Sequence, residues 1–257
     1  MIALVDYKAG NLTSVKKALA TIGADVFVPE TPDDLANADG IIVPGVGHFG
    51  ATRALDRAWV EAILARIGEG RPLLGICLGM HWLFEGSDEA PELPGLGLLS
   101  GRCHRLGTVR LKPDATDDPV RLKPGATDDP VRLKPDATDD PIRLKPDATD
   151  DNAEDARDTR GVRLQPDQHL KVPHVGWNSL AIRREAAILD AVATDSQVYF
   201  THSYVAPVSG DTVAVTAHGE TFASVVQRGQ ISGVQFHPEK SGDVGLRILR
   251  NFVELAG

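Results

Sequence analysis

Cys77, His237 and Glu239 are the residues of this chain whose types and surroundings could carry covalent chemistry. Cys77 is the centre of the run Gly75-Ile76-Cys77-Leu78-Gly79. The apolar stretch 72–76 suits a buried strand and 78–84 suits a helix, so the cysteine falls on the turn between them. Glycines two residues to either side admit the tight, strained backbone of a nucleophile elbow. A thiol placed there projects from a helix N-terminus, where the helix dipole and free N–H groups favour the thiolate. A buried structural cysteine is the ordinary alternative in an apolar stretch, and the paired glycines weigh against it.

His237-Pro238-Glu239 offers the groups that such a thiol needs. Val234-Gln235-Phe236 reads as the end of a strand, and Pro238 forces His237 toward an extended conformation, so residues 237 and 239 point to the same side. Glu239 can then hold one imidazole nitrogen while the other faces Cys77, which is the logic of nucleophile, base and orienter. A surface turn is the alternative. Pro44-Gly45-Val46-Gly47 follows another strand on the same side of the sheet. Its backbone amides, with that of Leu78, could hold an oxyanion, although a Pro-Gly pair is more commonly a plain turn.

The elements that must position these groups alternate between strand and helix. Residues 2–6 read as a strand, and Asn11 as the cap of a helix with Leu12, Val15, Leu19 and Ile22 at helical spacing before Gly23. Strands at 24–28 and 41–43 and a helix at about 52–67 follow, leading into the Cys77 strand. Such alternation implies a parallel sheet with covered faces and active groups at the strand C-termini. After residue 167 the reading changes to short β-rich segments near 170–172, 180–183, 197–205, 212–217, 222–227 and 231–236, then a final helix near 243–255.

At 257 residues with 42% hydrophobic content, the chain can hold a sizeable core. No apolar run approaches the roughly 18–20 residues of a membrane span, and Met1–Asp6 lacks the basic start of a signal peptide. Two cysteines argue against a disulfide framework and for a reducing, cytoplasmic setting, with Cys103 a small strand residue. A net charge of −9 argues against a general nucleic-acid binder.

An 11-residue unit recurs four times, as VRLKPDATDDP at 109–119, VRLKPGATDDP at 120–130, VRLKPDATDDP at 131–141 and IRLKPDATDDN at 142–152. Each offers too little apolar surface to offset the entropy of ordering, so 108–167 is expected to be a disordered surface insertion in a single domain spanning 1–257. Calcium binding by the Asp-rich turns and a stacked repeat array are the alternatives. The spacing fits neither an EF-hand loop nor the longer solenoid units.

GICLGM at 75–80 and QFHPEKS at 235–241 resemble the class I, triad-type glutamine amidotransferases. PGVGHFG at 44–50 and KVPHVGWN at 171–178 narrow the resemblance to the glutaminase subunits of imidazole glycerol phosphate synthases, with support from DYKAGNLTSV at 6–15, GLGLLSG at 95–101 and YFTHSY at 199–204. The resemblance covers about 2–107 and 168–256. It implies an α/β fold with a central, mostly parallel sheet flanked by helices and a β-rich C-terminal half. It also implies L-glutamine as substrate, no metal or organic cofactor, and a heterodimer with a (βα)8-barrel synthase subunit that receives ammonia.

By the same resemblance the catalytic residues are Cys77, His237 and Glu239, and the oxyanion hole is formed by Gly45, Val46, Gly47 and Leu78. Substrate contacts fall to His81, Glu89, His202, Ser203 and Tyr204, and partner contacts to Asn11, His174 and Trp177 in the 172–177 turn, Tyr199 and Lys240. At position 81 the family usually places Gln, and a histidine there cannot offer an amide's paired donor and acceptor. A free-standing cysteine hydrolase and a non-catalytic binding subunit remain the other readings. Deleting 109–152 is expected to leave partner binding and glutamine hydrolysis intact. Loss of partner binding by an otherwise folded deletion protein, measured by calorimetry, would show the repeats to be more than a passive excursion.

Overall fold

The computed structural model of the protein describes residues 1–107 and 171–257. The four repeats, and the disordered insertion expected at 108–167, lie outside the described residues. The first stretch runs β1 (Ile2–Leu4), α1 (Leu12–Thr21), β2 (Val26–Phe27), β3 (Gly40–Gly45), α2 (Arg57–Gly68), β4 (Leu73–Cys77) and α3 (Leu78–Leu83), followed by the short β5 (Gly86–Ser87) and β6 (Arg102–Arg105). The second runs β7 (His174–Ser179), β8 (Ala181–Ile182), β9 (Gln197–His202), β10 (Tyr204–Val205), β11 (Thr212–His218), β12 (Glu220–Arg228), β13 (Ile231–Val234) and α4 (Gly242–Ala256).

Most elements fall where apolar periodicity places them, and the departures have local causes. The helix expected from residue 52 starts later, because the Asp56 carboxylate accepts hydrogen bonds from the Ala58 and Trp59 amides at 3.0 and 3.2 Å and caps α2 there. Phe49–Ala54 forms a separate 3₁₀ turn. Asn11 occupies the N-cap position of α1, but its side chain makes no capping hydrogen bond. Of the strand expected near 170–172, residue 170 lies outside the described residues and no strand forms at 171–172, and the stretch read as a turn around His174 and Trp177 is instead β7. That segment becomes a strand through a distant partner: it pairs antiparallel with β9, from His174 opposite His202 to Ser179 opposite Gln197.

Eight strands form the main sheet in the order β2-β1-β3-β4-β13-β12-β11-β8. The pairs from β2 through β13 are parallel, and those from β13 through β8 are antiparallel. Both faces of the parallel part are covered. Ile2, Leu4, Ile42, Leu74 and Ile76 pack on one side with Val15, Leu19, Leu249 and Phe252. Ala3, Val5, Ile41, Val43 and Leu73 pack on the other with Leu35, Ile63, Met80 and Trp82. Alternate residues of one strand thus enter opposite cores, which is why these strands read as nearly unbroken apolar runs.

The turn from β4 into α3 is tightly packed. Cys77 holds φ +51° and ψ −105°, in a region that costs a non-glycine residue about 1–3 kcal/mol. Glycines on either side permit it for a packing reason. A Cβ on Gly75 would lie 2.6 Å from the Gly79 carbonyl carbon, and one on Gly79 would collide with the Val43 carbonyl oxygen of β3. Gly79→Ala is therefore expected to lower stability by about 3 kcal/mol in urea denaturation, at the upper end of the range for overpacking. Gly68→Ala, at the end of α2 with open space around it, is expected to be neutral or to stabilise by up to about 1 kcal/mol.

Candidate active site

Pairing of β3, β4 and β13 brings three chain segments to one edge. Gly45 at the end of β3 lies opposite Cys77 at the end of β4. Val234 at the end of β13 lies opposite Ile76 on the other flank of β4, so the chain leaves β13 through Gln235 and Phe236 to reach His237 beside Cys77. The groups singled out in the sequence thus gather at the C-terminal ends of parallel strands, where open α/β sheets form their sites.

His237 and Glu239 form a nearly closed pair, with side chains 2% and 1% exposed. Nδ1 of His237 lies 2.9 Å from Oε1 of Glu239, so a proton on Nδ1 is held by the carboxylate and Nε2 is left for chemistry. Nε2 is buried and makes no hydrogen bond of ordinary geometry, yet Cys77 acts on it strongly. Burial pushes the imidazole down, but hydrogen bonding and charge from Cys77 and Glu239 outweigh it and raise the ring from 6.5 to about 10. A ring raised in this way holds its proton more readily than a free imidazole, and it does so beside the Cys77 sulfur. The backbone of His237 is fixed from β9: its N–H donates to the Tyr199 carbonyl at 2.9 Å, and its carbonyl accepts from the Ser241 hydroxyl at 2.7 Å.

Cys77 opens into a pocket of about 340 Å³. Val46, Gly47 and Leu78 line it, as do His81, Glu89, His202, Ser203 and Tyr204. Gly45 packs behind, where a Cβ would meet the Tyr7 hydroxyl and lie 2.7 Å from Cβ of Leu78. Leu78 opens α3, and first-turn amides lack intrahelical partners. The Val46 amide is committed elsewhere, donating to the Ala9 carbonyl at 2.5 Å. Glu89 is half-buried and its carboxylate already accepts from the Phe49 amide at 2.7 Å. His81, 4% exposed, has Nε2 2.7 Å from Oε1 of Gln235, and burial is the main cause lowering its pKa to about 4.

The residues expected to meet a partner do not share one face. Trp177 is 56% exposed and Val175 57%, side by side on the outer face of β7. Tyr199 lies edge-on to Trp177 at 6.0 Å, and the Lys240 ammonium lies 5.9 Å from the Tyr199 ring centre. Strand alternation turns His174 to the other face, where its Nδ1 lies 3.0 Å from Nε2 of His202 and its ring stacks on His218. Burial, aided by His218, holds His174 down to about 4, and burial with the neighbouring histidines holds His202 well below 6.5. Asn11 stands at the N-cap of α1, a helix that packs against the Pro238–Lys240 turn.

Three residues of the site had no role in the sequence reading. Gln235 donates its amide N–H to Cys77 Sγ at 3.8 Å. Ser241 joins β9 to the His237 turn, accepting from the Tyr199 amide at 3.0 Å. Tyr7 keeps its hydroxyl buried without a partner, and burial, with a smaller effect of Cys77, pushes its phenol above the usual range. All three lie inside segments that carried the family resemblance, but segment similarity does not show which side chains meet.

Against known families, residues 3–255 match glutamine amidotransferase class-I. A relative from Methanothermobacter thermautotrophicus, named imidazole glycerol phosphate synthase subunit HisH, is 35% identical over 99% of this chain and 98% of its own length. One of the same name from Halalkalibacterium halodurans is 38% identical over 98% of this chain and 94% of its own. A crystal structure described as a glutamine amidotransferase shares the fold with a TM-score of 0.62 at 18% identity, covering all of both chains. The resemblance carried by the motifs at 75–80 and 235–241 is thereby borne out, and the chain belongs to the class-I glutamine amidotransferase family.

Proposed function

We propose that this chain is the glutaminase subunit of an imidazole glycerol phosphate synthase, hydrolysing L-glutamine and delivering ammonia to a (βα)8-barrel synthase subunit in histidine biosynthesis. The observation that carries the reading is the pocket over Cys77, backed by the His237–Glu239 pair, in a chain whose near full-length relatives are named as that subunit. We take 1–257 as one amidotransferase domain interrupted at about 108–167. Two free, buried cysteines accord with a cytoplasmic setting, and among the described residues no helix is long and apolar enough to cross a membrane.

In this reading the Cys77 thiolate attacks the side-chain amide carbon of glutamine, and the carbonyl oxygen becomes an oxyanion held by the Leu78 amide and the 45–47 loop. Val46 adds its N–H only if it releases the Ala9 carbonyl. Nε2–H of His237 passes its proton to the departing nitrogen, the C–N bond breaks and ammonia leaves a γ-glutamyl thioester on Cys77. The ring, now neutral, takes a proton from water as its oxygen attacks the thioester. The C–S bond then breaks, releasing glutamate and restoring the thiolate and imidazolium. Glu239 holds the ring in one tautomer throughout. His81, Glu89, His202, Ser203 and Tyr204 surround the substrate, and the exposed Val175 and Trp177, flanked by Tyr199 and Lys240, favour a docked partner over a free-standing hydrolase.

Cys77→Ala is expected to reduce glutamate release by at least about 10⁴-fold, with the synthase subunit and its ribonucleotide ligand present, while partner binding persists. Hydrolysis that survives the change, or that never rises with the partner, would remove the reading. Buried neutral histidines add a pH signature. His81, His174 and His202 have folded-state values below the 6.5 of the unfolded chain, so unfolding takes up protons on the acid side. Their stability contribution is complete above pH 6.5 and is lost as pH falls, through about 4 for His81 and His174. The thermal midpoint is expected to drop by on the order of 5 °C between pH 7 and pH 5 in a scanning experiment.

A further inference from the structure

His81 lines the pocket, yet its Nε2 is engaged away from any substrate. An amide oxygen can only accept, so the 2.7 Å contact with Oε1 of Gln235 makes His81 the donor and places the proton of its neutral ring on Nε2. Burial is what keeps that ring neutral at physiological pH. The same contact decides which end of the Gln235 amide faces the nucleophile: Nε2 of Gln235 lies 3.8 Å from Cys77 Sγ. Gln235 is fully buried, 0% exposed, and has no solvent to compensate a wrong orientation. Turned by 180°, the amide would set its oxygen against the sulfur, which repels a thiolate, and would require the His81 ring to take its other tautomer.

We propose that His81 and Gln235 are positioning residues for the nucleophile: His81 locks the Gln235 side-chain amide so that its N–H donates to the Cys77 sulfur and sustains the thiolate. The inference rests on Cys77 being the nucleophile. It gives His81 a role beyond substrate contact, and it explains how a histidine serves at this position. Its Nε2–H supplies the one donor that the locking requires, which the amide of a glutamine would also supply at similar reach. Three other groups bear on the sulfur or its histidine partner. His237 supplies positive charge, Glu239 balances it through the ring, and Tyr7 lies close by with a neutral phenol. Gln235 adds an uncharged donor that does not depend on the state of His237.

The test is the rate at which iodoacetamide alkylates Cys77 in the chain alone, followed by mass spectrometry of the Cys77 peptide, together with kcat and KM for glutamine. Gln235→Leu is expected to slow alkylation and lower kcat by about tenfold, the order expected for one hydrogen bond to a charged group, with KM within twofold. His81→Phe is expected to slow alkylation and lower kcat by a similar factor, and the double variant to lose no more of either than each single variant. His81→Gln, which restores a donor, is expected to return both rates to within twofold of the parent. If His81→Phe fails to fold, Gln235→Glu keeps the shape but sets a carboxylate near the sulfur, and it is expected to slow alkylation by at least as much as Gln235→Leu. Parental alkylation in Gln235→Leu or Gln235→Glu, or a change confined to KM in His81→Phe, overturns the positioning role. Cys77→Ser separates the two levels: substantial hydrolysis by that variant removes the nucleophile reading itself, whereas an inactive Cys77→Ser beside a fully reactive Gln235→Leu removes only the positioning role.

Discussion

The strained turn at Cys77 is the constraint on which the rest of this structure depends. Its backbone is held out of the ordinary regions by parallel pairing on both flanks of β4 and by α3, which starts at the next residue. Such strain persists only where surrounding packing over-determines it. Gly75 and Gly79 let α3 lie against β3 and β4 with no side chain between, and Gly45 brings the neighbouring strand end and Tyr7 equally close. The sulfur is thereby set at the mouth of a pocket whose walls come from the loop after β3, from α3 and from the end of β9.

Around that sulfur the charges are few and nearly all buried. Glu239 and His237 shield one another, and the imidazole keeps its proton because burial alone does not overcome two favourable neighbours. The other histidines near the pocket go the opposite way. His81, His174 and His202 have ring or amide partners rather than carboxylates, so burial dominates and they stay neutral. The site thus holds one positive ring among several neutral ones, distinguished by the company of a carboxylate and a thiol.

The strand that reaches the pocket also pairs with the one that carries the exposed Trp177. β9 fixes the His237 backbone through Tyr199, pairs with β7 beneath Trp177, and ends at His202 on the pocket wall. An exposed aromatic surface and the support of the His237 backbone therefore share one short ribbon.

The sequence by itself determined the local parts. Glycine spacing around Cys77, the proline after His237 and the apolar alternation of β1, β3 and β4 each follow from steric and hydrophobic rules that act within a few residues. Motif similarity extended this to the family. What only the tertiary structure decided is which distant pieces meet. β13 enters the sheet beside β4, so Gln235 comes within reach of both Cys77 and His81. β7 is a strand only because β9 pairs with it, and that pairing turns His174 inward, away from Trp177. Hydrogen-bond partners across a sheet are chosen by the packing of the whole core, and no window of neighbouring residues contains that information.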